Sequence, residues 1–65
     1  MTINEIREKF MNDIVKITLK DGNSFKGRII DIFPNGHIRF STKQGTLYIP
    51  IEKVEEMKII DWFKQ

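Results

Sequence analysis

The feature of this chain that most constrains its fold is a change in the spacing of apolar residues near residue 14. Up to that point apolar residues recur at intervals of three and four, which places them on one face of a helix: Ile3, Ile6, Phe10 and Ile14. From Val15 onward apolar and polar residues alternate in short runs, as they do in half-buried strands. The sequence therefore predicts a helix over roughly residues 3 to 12, followed by strands.

Polar and glycine-containing segments mark where these elements begin and end. Thr2 and Glu5 fit a capping box at the start of the helix. Turns that contain glycine are predicted at Asp21-Gly22, Pro34-Asn35-Gly36 and Lys43-Gln44-Gly45. The five predicted strands are 15–20, 25–33, 37–41, 46–51 and 54–60. One helical turn is predicted at 50–53, before the last strand.

Gly27 lies inside the second predicted strand, between Lys26 and Arg28. Glycine weakens a strand, so its presence there indicates a bend or a bulge. A long strand bent at a glycine allows a short meander to curl into a small barrel. The predicted fold class is mainly β: an N-terminal helix and a five-stranded antiparallel, strongly bent small barrel that forms one domain over residues 1–65.

The composition disfavours several classes of function. The 65 residues include no cysteine and one histidine, His37, so disulfides and thiolate metal sites are excluded and a zinc site is disfavoured. Ser24 and Ser41 have no second base to complete a catalytic triad, and no glycine-rich phosphate loop is present. We therefore expect no enzymatic activity, no metal and no cofactor. The apolar runs are too short to span a membrane, which favours a soluble, cytoplasmic protein.

Positive charge is concentrated in the middle of the chain. Residues 15–45 hold six Lys or Arg against two Asp, a net charge of +4, whereas the segments on either side are each −1. Such a basic region can contact phosphates, although strand surfaces of small proteins often carry as much lysine. The charge pattern alone leaves both interpretations open.

Two segments of the chain resemble the Sm-like family of small SH3-type barrels. VKITLKDGNSFKGRII at residues 15–30 is similar to the first motif of that family, and YIPIEKV at residues 48–54 occupies the place of its second. With the helix, the resemblance covers nearly the whole chain. It implies an RNA-binding protein that assembles into rings through the fourth and fifth strands.

The resemblance also implies positions for the RNA site. Sm-like proteins hold bases in the loop after the second strand, where this chain has Phe33, Asn35 and His37. Of these only His37 retains a side chain that can both stack and hydrogen-bond a base. Around the ring pore the family places a basic residue, but this chain has Pro50-Ile51-Glu52, and Glu52 would repel phosphate.

Two functions are therefore predicted. The first is a nucleic-acid-binding module, with RNA favoured, that acts as a homo-oligomer. Basic side chains would contact phosphates, and His37 and Tyr48 would stack on bases. The candidate binding residues are Lys26, Arg28, Asn35, His37, Arg39 and Tyr48.

The alternative is an SH3-like interaction or assembly module that binds a protein partner and no nucleic acid. It would bind its partner through exposed strand edges and the apolar tail Ile59 to Phe63. Neither hypothesis involves a membrane partner. The residues predicted to form an oligomer interface are Val54, Met57, Ile59 and Trp62.

Overall fold

A computed structural model describes residues 2–60 and confirms a mainly β fold. One helix is followed by five antiparallel strands in a single sheet, with a short 3-10 helix before the last strand. The elements are α1 (Ile3–Lys9), β1 (Ile14–Leu19), β2 (Ser24–Ile32), β3 (His37–Thr42), β4 (Gly45–Pro50), η1 (Ile51–Lys53) and β5 (Val54–Ile59).

Helix α1 begins at the predicted capping box. The Glu5 backbone N–H donates to Thr2 Oγ1 (3.2 Å), and the Thr2 backbone N–H donates to the Glu5 carboxylate (3.0 Å), which lowers the pKa of Glu5. The helix ends at Lys9, three residues earlier than the sequence predicts, and half-buried Phe10 and Met11 then pack against the core. Among residues 2–60 no helix is long and apolar enough to cross a membrane.

The sheet has the strand order β4-β3-β2-β1-β5. Because β4 and β5 are its two edges and do not pair with each other, the small barrel predicted from the sequence is open. Its core-facing residues nevertheless form one cluster with Ile6 of α1. The members from the strands are Val15, Ile17, Ile29, Ile32, Ile38, Phe40, Ile49 and Met57.

This shared core requires a curled sheet. A seven-residue helix is too small to cover a flat five-stranded sheet, yet Ile49 of one edge strand and Met57 of the other are both buried in the same cluster. The helix is fixed to the sheet where β2 ends, because the Arg7 side chain donates to the Ile32 carbonyl oxygen (3.0 Å). The helix and the curled sheet therefore enclose the core together.

The first two hairpins use the same kind of turn. Backbone hydrogen bonds from Leu19 N–H to the Asn23 carbonyl and from Phe33 N–H to the His37 carbonyl each close a loop of three residues. Each loop ends in glycine with a positive φ, +96° at Gly22 and +89° at Gly36. L-residues rarely adopt this backbone conformation, which is why glycine occupies both positions. In the first hairpin this loop pairs Thr18 with Ser24 and Lys16 with Lys26.

Gly27 is where β3 crosses closely over β2. Its φ is not positive, so no special backbone angle demands glycine there. Instead, a Cβ on Gly27 would overlap the carbonyl oxygen of Ser41 and lie 3.2 Å from the Phe40 ring. The irregularity in strand pairing lies farther along β2, between Ile29 and Asp31. Gly27 therefore allows β3 to approach β2 closely. The bulge is a separate feature at Ile30, three residues later.

Candidate nucleic-acid interface

The side of the sheet opposite the core, which we call the outer face, contains a group of basic side chains. On β2, Lys26 and Arg28 are exposed and alternate with the core-facing positions. On β1, half-buried Lys16 is the direct cross-strand partner of Lys26 on one side and of Lys58 on the other. We call Lys16, Lys26, Arg28 and Lys58 the basic stripe.

The basic stripe places like charges opposite one another across three strands. Such pairs destabilise a sheet, so an anion bound across them would relieve the repulsion. Lys58 also forms an ion pair with Glu56 (Nζ to Oε2 3.7 Å), but both side chains are largely exposed and the pair contributes little stability. A polyanion could therefore displace Glu56 at small cost.

Arg39 and Tyr48 extend the outer face across β3 and β4. They are direct cross-strand partners, and both are exposed, Tyr48 by 60%. The other partner of Arg39 is Asp31 on β2, which places one acidic group beside it. The Asp31 carboxylate accepts a hydrogen bond from the Ile32 backbone N–H (2.8 Å). Arg39 thus lies between a carboxylate and an aromatic ring.

Tyr48 belongs to an aromatic cluster at one end of the outer face. Its ring stacks with that of Phe33, with centroids 6.3 Å apart and an interplanar angle of 21°. Phe33 is half-buried, so it fixes one side of the Tyr48 ring while much of Tyr48 stays exposed. The Phe33 backbone N–H donates to the His37 carbonyl oxygen (2.9 Å), and we call Phe33, His37 and Tyr48 the aromatic end. It offers a held ring surface on which a base can stack.

Asn35 and His37 occupy the turn between β2 and β3 and the start of β3. The side-chain oxygen of Asn35 accepts a hydrogen bond from the His37 backbone N–H (3.1 Å), so this group stabilises the turn. His37 is half-buried, and its Nδ1 is buried without a hydrogen-bond partner among residues 2–60.

The six predicted binding residues therefore form two groups on one face. Lys26 and Arg28 belong to the basic stripe, whereas His37, Arg39 and Tyr48 lie at or beside the aromatic end, with Asn35 in the adjacent turn. Sequence reasoning missed Lys16 and Lys58, although their alternation with apolar neighbours already indicated the outer face. Family models, curated proteins and solved structures provide no match to this chain, so its function is argued from this arrangement.

The predicted oligomer residues on β5 differ in exposure. Met57 pairs with Ile17 and is only 7% exposed, because its side chain already packs in the core of its own chain, so it leaves little surface for an interface. Val54 is half-buried and Ile59 is 51% exposed. Trp62 lies outside the described residues.

Proposed function

We propose that this chain is a small nucleic-acid-binding module that binds single-stranded RNA and acts as a homo-oligomer. The observation behind the proposal is the outer face, on which the basic stripe lies on β5, β1 and β2 and the aromatic end lies beside it at β3 and β4. Cations that line a surface attract the phosphate backbone, and an exposed ring stacks on unpaired bases. Single-stranded RNA presents both features at once.

We also propose that the chain is a divergent Sm-like protein. The proposal rests on the segments at residues 15–30 and 48–54. The residue that would line the ring pore, Glu52, is exposed and acidic, so we assign the phosphate contacts to the outer face instead of the pore. On this view the family architecture is retained while the binding surface has moved.

The first test concerns the basic stripe. Binding of a labelled oligouridine is expected to weaken as salt rises, with a log-log slope of about −0.7 for each phosphate contact. Replacing Lys26 and Arg28 together by alanine should therefore make the slope shallower by up to about 1.4, which is about 0.7 for each of two contacts. Fluorescence anisotropy at a series of salt concentrations measures the slope.

The matched control removes two exposed lysines that lie outside the sheet, Lys9 on α1 and Lys53 on η1. This control variant loses the same two positive charges. If its salt dependence equals that of the parent, the shallower slope of the test variant is due to where Lys26 and Arg28 lie. Equal slopes in the two double variants would argue against the basic stripe. If neither RNA nor DNA binds at low salt, the nucleic-acid proposal is wrong.

A second candidate function, a protein-interaction or assembly module, is favoured by Ile59. This residue pairs with core-facing Val15, yet half of it is exposed because no strand lies beyond β5 in the described structure. An exposed edge strand with an apolar side chain is a site for pairing with another strand. The same edge would serve the homo-oligomer of the first proposal.

Self-association can be measured by light scattering. A mass that is a multiple of 7.7 kDa is expected for the parent chain, and Ile59→Lys should shift it toward one subunit because a charge would be buried at the edge. Ile30→Lys is the control, since Ile30 is 47% exposed but lies on the interior strand β2. A parent protein that is monomeric at high micromolar concentration would contradict self-association.

A further inference from the structure

A cleft with a volume of about 830 Å³ opens between the first half of β2 and the turn that joins β3 to β4. Residues 24–26 line one side and residues 42–44 the other, and the two sides meet where Gly27 and Arg28 approach Ser41. This volume is in the range of small-ligand sites, which is about 300–1,000 Å³. The cleft is lined by the part of β2 before Ile29, whereas the Arg39–Tyr48 pair lies beside Asp31 near the end of β2, so the cleft is separate from the aromatic end.

The cleft exists because β3 leaves β2 at this point. Pairing between the two strands ends at Arg28 and Ser41, while Ser41 and Thr42 continue to pair with β4. The β3–β4 hairpin therefore diverges from the first half of β2. The turn at its tip is held in shape because Thr42 Oγ1 donates to the Gly45 carbonyl oxygen (2.9 Å) and accepts from the Gln44 N–H (3.2 Å).

The charged groups around the cleft have one sign. Lys26 and Arg28 lie on its β2 side and Lys43 lies on the turn opposite, and all three are exposed. Among the described residues that line the cleft there is no carboxylate. Cations on both sides of a concave surface strengthen the attraction for an anion placed between them.

The remaining lining residues suit a phosphate joined to an apolar or aromatic group. Ser24 and Ser41 bring hydroxyl groups that can donate to phosphate oxygens. Ile14 and Phe25, both half-buried, add apolar surface, and Phe25 also has a ring on which a planar base can pack. An inorganic anion would leave this apolar surface in water.

We propose that this cleft holds one nucleotide unit of a bound single strand, with its phosphate between Lys43 and the two β2 cations and its base against Phe25. The inference rests on the proposed function and extends it, because it adds a second base position beyond Tyr48. The bound strand then runs along the outer face from the aromatic end and turns inward at the unpaired edge of β2, because Phe25 lies on the core-facing side of that strand.

Two measurements test the cleft. In the first, Lys43→Ala should weaken oligouridine binding by about 3- to 10-fold, as expected for the loss of one charged contact near the surface. Lys9→Ala, which removes an exposed lysine on α1, should leave the affinity unchanged. In the second, uridine monophosphate should shift the amide resonances of residues 24–28 and 41–44 in NMR spectra.

Ser24→Trp should fill the mouth of the cleft from an exposed position and abolish those shifts, and circular dichroism checks that this variant is folded. Inorganic phosphate and uridine are the comparison probes. If phosphate alone reproduces the shifts, or if oligouridine binds while Lys43→Ala and Lys9→Ala behave alike, the nucleotide proposal is overturned. If oligouridine fails to bind while uridine monophosphate shifts the cleft amides, the cleft is supported and the proposed function fails.

Discussion

Replacing Gly27 by valine is expected to lower the free energy of unfolding by about 1–3 kcal/mol or more, as overpacking of a tight contact does. Any Cβ at this position would overlap the carbonyl oxygen of Ser41 and lie 2.9 Å from its carbonyl carbon. Because these are backbone atoms of β3, no change of side-chain rotamer relieves the clash. Urea denaturation followed by circular dichroism measures the loss, which is large for a domain of this size.

Two further variants separate this cause from a general cost of valine in the strand. Arg28→Val changes the next residue, whose side chain is exposed on the outer face, and should stay within about 0.5 kcal/mol of the parent. Phe40→Leu combined with Gly27→Val should not restore stability, because the Phe40 ring is the farther of the two neighbours. A Gly27→Val protein that unfolds at the parent midpoint would mean that the strands do not approach this closely.

Replacing Tyr48 by alanine is expected to weaken the binding of single-stranded RNA by about 1–3 kcal/mol, which corresponds to roughly 5- to 150-fold in Kd. The Tyr48 ring is 60% exposed and is held on one side by Phe33, so it can receive a base with little loss of side-chain freedom. Stacking is not an exchange of counterions, so the loss should be similar at low and high salt.

Tyr48→Phe is the matched control, because it keeps the ring and the contact with Phe33 while it removes the hydroxyl. Its affinity should remain near that of the parent chain, whereas Tyr48→Leu should behave like the alanine variant. If Tyr48→Ala binds RNA as tightly as the parent at every salt concentration, no base stacks on this ring. Unfolding curves for all three variants should match that of the parent, because Tyr48 is exposed on an edge strand. Such curves show that a loss of RNA binding does not come from unfolding.

Most of the secondary structure could be predicted from the sequence because its causes are local. The alternation of Val15, Ile17 and Leu19 with polar residues depends only on the period of a strand, and these three residues do face inward. The capping box at Thr2 and Glu5 also involves residues three apart. The helix end was less predictable, because Phe10 and Met11 leave the helix to pack on a core built by distant strands.

The candidate site was only partly predictable, because it depends on which strands are neighbours. Exposure of Lys26, Arg28 and Tyr48 follows from alternation within each strand. The stacking of Phe33 on Tyr48 joins residues fifteen positions apart, and the burial of Met57 depends on Ile17 and the rest of the core. A pattern within one strand contains no information about such contacts.

The sequence by itself therefore determined how many strands form, where they lie along the chain and which residues face inward. The tertiary structure decided how the outer faces of the strands align. A two-residue loop at Asp21-Gly22 would have placed Lys26 opposite core-facing Ile17, whereas the three-residue loop places it opposite Lys16. Likewise Gly27 marked a bend, but only the folded chain shows that the carbonyl of Ser41 fills the space of its missing side chain. The reason is physical: register and close approach are set by contacts between segments, and local periodicity does not encode them.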